Sequence, residues 1–95
     1  MTPAGKLQDR LKKLVQASGG QYRKVRWEGR KGCPDCFIWW DGALAFVEIK
    51  AGEDRFSKLQ EREVARMQND GIPVFTARDL SDVEAIVEIA RNGKK

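Results

Sequence analysis

Asp35 and Glu48 stand thirteen positions apart with Lys50 two beyond the second. A carboxylate pair beside an ammonium can support metal-assisted hydrolysis, provided the chain brings the three together. Two apolar runs, Cys36-Phe-Ile-Trp-Trp40 and Ala43-Leu-Ala-Phe-Val-Glu-Ile49, flank Asp41-Gly42, a strong short-range hairpin signal. A two-residue loop fixes the register: Trp40 opposes Ala43, Trp39 opposes Leu44, Phe37 opposes Phe46, and Asp35 opposes Glu48. Directly opposed residues of an antiparallel pair share a face, with Cβ atoms about 4.5–5.5 Å apart. Lys50, two steps from Glu48, lies on that same face.

Two carboxylates so close repel unless a cation lies between them, and desolvation would raise at least one pKa. A hard divalent ion resolves the conflict. Mg²⁺ favours one or two carboxylates plus waters and a phosphate oxygen, and Mn²⁺ accepts the same oxygen set. The backbone carbonyl of Ile49, between the two side-chain positions, supplies a further oxygen. An ion held there can polarise a phosphodiester and lower the pKa of a bound water. Lys50 would orient or deprotonate that water, or neutralise charge on the pentacovalent phosphate. The alternative reading makes Asp35 a turn residue after Pro34, and Glu48 and Lys50 a solvated pair at a strand end.

The elements that must position these groups are legible from periodicity. Leu7, Leu11, Leu14 and Val15 have helical spacing, so an amphipathic helix is expected over 5–17, stopped by Ser18-Gly19-Gly20. Tyr22 to Trp27 reads as a strand with one wet side, and Glu28 to Gly32 as a loop. The hairpin follows, and its two apolar faces predict a place in the sheet interior, covered on both sides. Ser57-Lys-Leu-Gln60 has capping-box spacing and opens a helix through Leu59, Glu63, Val64 and Met67 to Asp70-Gly71. Pro73 to Ala77 is a short strand, and a second box, Ser81-Asp-Val-Glu84, opens a last helix. The fold class is α/β, in the order α-β-β-β-α-β-α, with a mixed sheet whose last strand runs parallel to the one ending at Ile49.

With 95 residues, 41% hydrophobic and 34% charged, residues 1–95 are expected to form a single domain. No apolar run approaches the roughly 20 residues of a membrane span. The N-terminus lacks the apolar stretch of a signal peptide, so a cytoplasmic location is expected. Two cysteines and no histidine exclude a disulfide framework, a four-ligand zinc site and histidine acid–base chemistry. Residues 1–31 carry nine Lys/Arg against two acids, whereas the remainder is net acidic. That asymmetry points to a polyanionic partner, phosphate backbone being the commonest; the competing account is a solubilising surface. Arg23, Lys24, Arg26, Arg30 and Lys31 are the candidate nucleic-acid contacts, holding the backbone without reading sequence.

Cys33-Pro-Asp-Cys36 spells C-x-x-C, but a dithiol redox site needs a helix N-terminus after it, and here a strand follows. A buried apolar Cys36 is the simpler account. Trp39 and Trp40 read as core packing. Trp27, flanked by Arg26 and Arg30, is the tryptophan to consider at a nucleic-acid surface.

Gly32-Cys-Pro34-Asp35, followed by Glu48-Ile-Lys50, resembles the PD-(D/E)-x-K nuclease motif. More narrowly, Tyr22 to Asp35, Val47-Glu-Ile-Lys-Ala51 and Gln60 resemble the VRR-NUC family of virus-type replication and repair nucleases, over about residues 5–90. The resemblance implies a restriction-endonuclease-like core, metal ligation by Asp35 and Glu48, and catalytic roles for Lys50 and, in support, Gln60. It further implies a Mg²⁺- or Mn²⁺-dependent endonuclease on branched, four-way or flap DNA, working in replication, recombination or repair in a bacterial or phage-infected cell. Small stand-alone members tend to pair as homodimers. The chain departs from the family where a first-helix glutamate is common, reading Ala4-Gly-Lys-Leu-Gln8; Gln8 could bind a metal water through its amide. Gln60 also fits as the reaching partner of the Ser57 cap. A non-catalytic nucleic-acid-binding module of the same fold is the rival from another class, with an interaction or structural subunit as the third reading.

Overall fold

A computed structural model describes residues 1–93. Helix α1 (Pro3–Ala17) is followed by strands β1 (Gln21–Lys24), β2 (Cys36–Trp40) and β3 (Ala43–Ile49), helix α2 (Lys58–Asn69), strand β4 (Val74–Ala77) and helix α3 (Leu80–Arg91). The expected order of elements is therefore the observed one. The sheet runs β1-β2-β3-β4, antiparallel in its first two pairings and parallel between β3 and β4.

The turn at Asp41-Gly42 sets the register as anticipated, with Trp40 opposite Ala43, Trp39 opposite Leu44 and Phe37 opposite Phe46. Of the two turn residues it is Gly42 that takes the left-handed conformation, at φ 76°, which costs glycine nothing sterically. Alternation then divides the hairpin between two faces. Cys36, Ile38, Ala45, Val47 and Ile49 join Leu7, Leu11 and Val15 of α1 and Val83, Ile86, Val87 and Ala90 of α3 in one buried core. On the opposite face lie Asp35, Phe37, Trp39, Leu44, Phe46, Glu48 and Lys50. Helix α2 shields the β4 side of that face, burying Met67 and Glu63.

Several boundaries differ from the sequence reading. The first strand ends at Lys24, not Trp27, although the Val25 N–H still donates to the Asp35 carbonyl at 3.1 Å. Beyond it the chain leaves the sheet because Trp27 turns toward α2. Helix α1 begins at Pro3, two residues early, because the Thr2 hydroxyl caps it by accepting the Gly5 N–H at 3.0 Å. Helix α3 begins at Leu80, since Asp79 supplies the cap in place of Ser81. Its carboxylate accepts the Asp82 N–H at 2.8 Å, while Asp82 in turn accepts the Arg78 N–H. The Ser57 box is present with both of its bonds.

The hairpin is covered fully on one face only. Trp40 packs against the core and donates its indole N–H to Ser18, as a core tryptophan should. Trp39 is on the other face, partly exposed, and Leu44 beside it is 46% exposed. Two apolar faces in the sequence do not require two covering helices. No helix among the described residues is long and apolar enough to cross a membrane.

Candidate active site

The carboxylate pair is assembled by one strand end and the loop that enters it. Asp35 immediately precedes β2, and its Oδ2 accepts the Ile49 backbone N–H at 2.6 Å. That bond pins the loop to the end of β3. Glu48 has no exposed surface, and neither of its carboxylate oxygens has a hydrogen-bond partner. Burial first, then the adjoining Asp35 carboxylate, pushes the Glu48 carboxyl up to about 8; Lys50 pulls the other way. An orphaned buried carboxylate facing a second carboxylate is costly unless a cation compensates it.

Lys50 caps the end of β3. Its backbone N–H donates to Ala77 O at 2.9 Å, and its Nζ sits 5.5 Å over the Phe56 ring, so cation–π attraction restrains the ammonium near the pair. Among the described residues no three His, Cys, Asp or Glu side chains gather as a metal cluster. Protein ligation there would come from Asp35, Glu48 and the Ile49 carbonyl, with water for the rest, which suits Mg²⁺. Gln60 occupies the third position of α2, and its Oε1 accepts the Ser57 N–H at 2.9 Å. The cap accounts for that oxygen, and only the amide nitrogen is left for other work.

The five basic candidates do not share one surface. Arg23 pairs with Phe37 in the sheet and so lies on the carboxylate face, its guanidinium 5.0 Å over Trp39. Lys24 pairs with Cys36 and points to the opposite side. Arg26, Arg30 and Lys31 lie in the loop that leads to Asp35. The bases of α1 are behind the sheet, where Arg10 meets Glu84 at 3.7 Å and Lys13 meets Asp9 at 2.9 Å. The polycationic first third is thus divided between two sides of the sheet.

Glu63 is the residue whose role the sequence concealed. Only 8% exposed, it accepts the Trp27 indole N–H at 2.8 Å and the Arg66 guanidinium at 2.8 Å, with Arg30 at 3.5 Å. Trp27 also meets Phe46 edge-on at 6.0 Å. It therefore anchors the loop to α2 and is not placed as a free nucleic-acid contact. A glutamate on the apolar side of a helix was the available signal. Both cysteines are free thiols. Cys36 is buried in the core, and burial pushes its thiol up to about 12; Cys33 is raised too, chiefly by burial. Neither has the thiolate character of a redox dithiol.

The same loop depends on Gly32. Its φ is 95°, and a Cβ there would lie 2.6 Å from the Leu59 carbonyl oxygen and 3.1 Å from Glu63 Cβ. Gly32→Ala is expected to cost about 2 kcal/mol or more in urea unfolding, because strain and a backbone clash add. Gly29→Ala, with φ 68° and nothing within 4 Å of the new Cβ, carries the strain alone and should cost less. Equal losses would show that the close approach to α2 is unimportant.

The VRR-NUC domain model matches residues 3–79. A solved VRR-NUC domain structure superposes with a TM-score of 0.86 at 33% sequence identity, covering 93% of this chain and 97% of that one. No curated protein matches the chain. The fold and the match over residues 3–79 agree, and the chain belongs to the VRR-NUC family of nuclease-type domains.

Proposed function

We propose that this domain is a divalent-metal-dependent endonuclease that hydrolyses DNA phosphodiester bonds at the Asp35–Glu48 pair. The observation that carries the reading is Glu48: a carboxylate with no exposure and no partner for either oxygen, facing Asp35. Such a group stabilises a fold poorly and serves a bound cation well. A divalent ion bound there supplies Lewis acidity toward a phosphate oxygen and a water of lowered pKa.

The chain's own residues do the rest. Asp35 and Glu48 would hold the ion through carboxylate oxygens, and Ile49 through its backbone carbonyl. The Asp35 bond to Ile49 N–H preorganises the pair, because the β2–β3 ends cannot separate without breaking it. Lys50, restrained over Phe56, orients the attacking water and balances charge building on the phosphate. Gln60 supports from the first turn of α2 through its amide nitrogen. Arg23, Arg26, Arg30 and Lys31 hold the phosphate backbone near the site, so affinity falls as salt rises. Lys24 contributes from the far side of β1. A branched substrate, a homodimer with two such sites, and work in DNA repair or recombination in the cytoplasm complete the proposal.

Incubation of wild type and Asp35→Ala with labelled four-way, flap and linear DNA, with and without Mg²⁺ or Mn²⁺, tests the reading. Wild type is expected to cut only with the ion, and the substitution should abolish cutting. Equal cutting by both proteins overturns the catalytic assignment. Salt-sensitive binding without cutting by wild type would establish the non-catalytic module instead.

A further inference from the structure

The face that carries Asp35 and Glu48 continues away from them as a row of aromatic rings. Trp39 meets Phe37 at 5.0 Å, Phe37 stacks on Phe46 at 4.8 Å, and Phe46 meets Trp27 at 6.0 Å. Trp27 closes one end of the row by its bond to Glu63. Arg23 closes the other, its guanidinium 5.0 Å over Trp39 and held by a 2.8 Å bond to Tyr22 O. Helix α2 packs toward β4, so Phe37 and Trp39 remain partly exposed and Leu44 is 46% exposed. A shallow depression runs from Phe37, Trp39 and Leu44 on this face round the hairpin end to Trp40, Gly42 and Ala43.

We infer that this face, centred on Phe37, Trp39 and Arg23, is a stacking platform for unpaired nucleobases of a nucleic-acid strand whose backbone passes the Asp35–Glu48 pair. The inference rests on the nuclease reading for the position of that backbone. Three observations favour this occupant. Asp35, Phe37 and Trp39 are alternate residues of one stretch of chain, so the platform begins next to the pair and ends about 13 Å along the strand. That span is a few nucleotides. Aromatic rings and guanidinium planes are the surfaces on which splayed bases stack, irrespective of sequence. Finally, the side chains Arg23, Phe37, Trp39, Leu44 and Phe46 carry one charge, and it is positive, complementary to a phosphate backbone. A second copy related by a two-fold axis would set this patch against itself, Arg23 included, with no acid among those five to answer it. Stacked base pairs within a duplex cannot offer their faces to the platform, so the site would favour substrates with unpaired nucleotides beside the cut.

The test measures binding in EDTA, where no cleavage occurs, by anisotropy of labelled strands at one fixed salt concentration. Wild type is expected to bind oligothymidylate about ten-fold more tightly than an abasic sugar–phosphate chain of the same length. Trp39→Ala and Phe37→Ala should each bring that ratio close to one while leaving affinity for the abasic chain unchanged. Equal wild-type affinity for the two strands overturns the platform without any appeal to a variant that might misfold. Sedimentation in which Trp39→Ala abolishes self-association, with the ratio intact, also overturns it and makes the face a contact between copies. Because the EDTA arm is independent of cutting, a base-dependent ratio in a protein that never cleaves DNA would sink the nuclease reading and leave the platform standing.

Discussion

In the absence of divalent ions, Glu48→Gln protein is expected to be more stable than wild type, by a margin that grows as pH rises. In the folded protein the Glu48 carboxyl is raised from its ordinary 4.5 to about 8, by burial first and by Asp35 second. The native state therefore holds that proton more tightly than the unfolded chain does. Its contribution is fully present below about pH 4.5 and is lost as pH climbs through about 8, where the buried site must accept a charge. Glutamine keeps the shape and never ionises. The gap should be small near pH 4.5 and level off above about pH 8 on the order of 3–5 kcal/mol, at about 1.4 kcal/mol per unit of raised pKa.

Added Mg²⁺ should reverse the ranking. An ion that binds only the folded state stabilises it by mass action, and it should do so for wild type and fail to do so for Glu48→Gln. Thermal unfolding followed by circular dichroism, across pH 5–9 with EDTA or Mg²⁺, reads both effects. A margin that does not change with pH, or Mg²⁺ stabilising both proteins equally, would mean that Glu48 is neither charged at a cost nor a ligand. The substitution that stabilises the metal-free fold is also expected to end cleavage, a conflict between stability and activity common at sites that store buried charge.

How much of this could be read beforehand depends on whether the information was local. A two-residue turn with glycine at its second position fixes a hairpin register by itself, and from that register the meeting of Asp35 with Glu48 follows. The Ser57–Gln60 box is equally local, since both of its bonds lie within four residues. Trp39 was given the right cross-strand partner, Leu44, but the wrong surroundings. Alternation says which side a residue takes, not whether a helix will come to cover it, and α2 packs toward β4. The Glu63 anchor was out of reach for a related reason: Trp27 and Glu63 are 36 residues apart, and the loop between β1 and β2 has no periodicity from which to infer its path. The charge asymmetry of the chain proved a poor guide to one surface, because α1 and β1, adjacent in sequence, present their bases on different sides of the sheet. At α3 two capping residues competed, and the aspartate two positions earlier prevailed because its carboxylate accepts the Asp82 N–H while the Asp82 carboxylate reaches back to the Arg78 N–H.

Lys50→Ala is expected to separate ion binding from chemistry. The ammonium lies over Phe56, outside the pair, and its charge lowers the Glu48 pKa without contributing an oxygen. Its removal leaves Asp35, Glu48 and the Ile49 carbonyl in place, since the backbone bond from Lys50 to Ala77 O does not depend on the side chain. Mg²⁺ should therefore still raise the melting temperature of the variant, with a half-saturating concentration shifted upward because Glu48 gives up its proton less readily. Single-turnover cleavage should fall by about 10²–10⁴-fold, the range lost when a positioned proton-transfer group is removed. Lys50→Arg keeps the positive charge but cannot give up a proton near neutral pH. Recovery with arginine would identify the contribution as electrostatic, whereas failure of arginine to restore cutting would identify it as proton transfer to or from the attacking water. Wild-type cleavage rates in Lys50→Ala would remove the lysine from the mechanism altogether, and loss of the Mg²⁺-induced stabilisation would make it part of the ion's site.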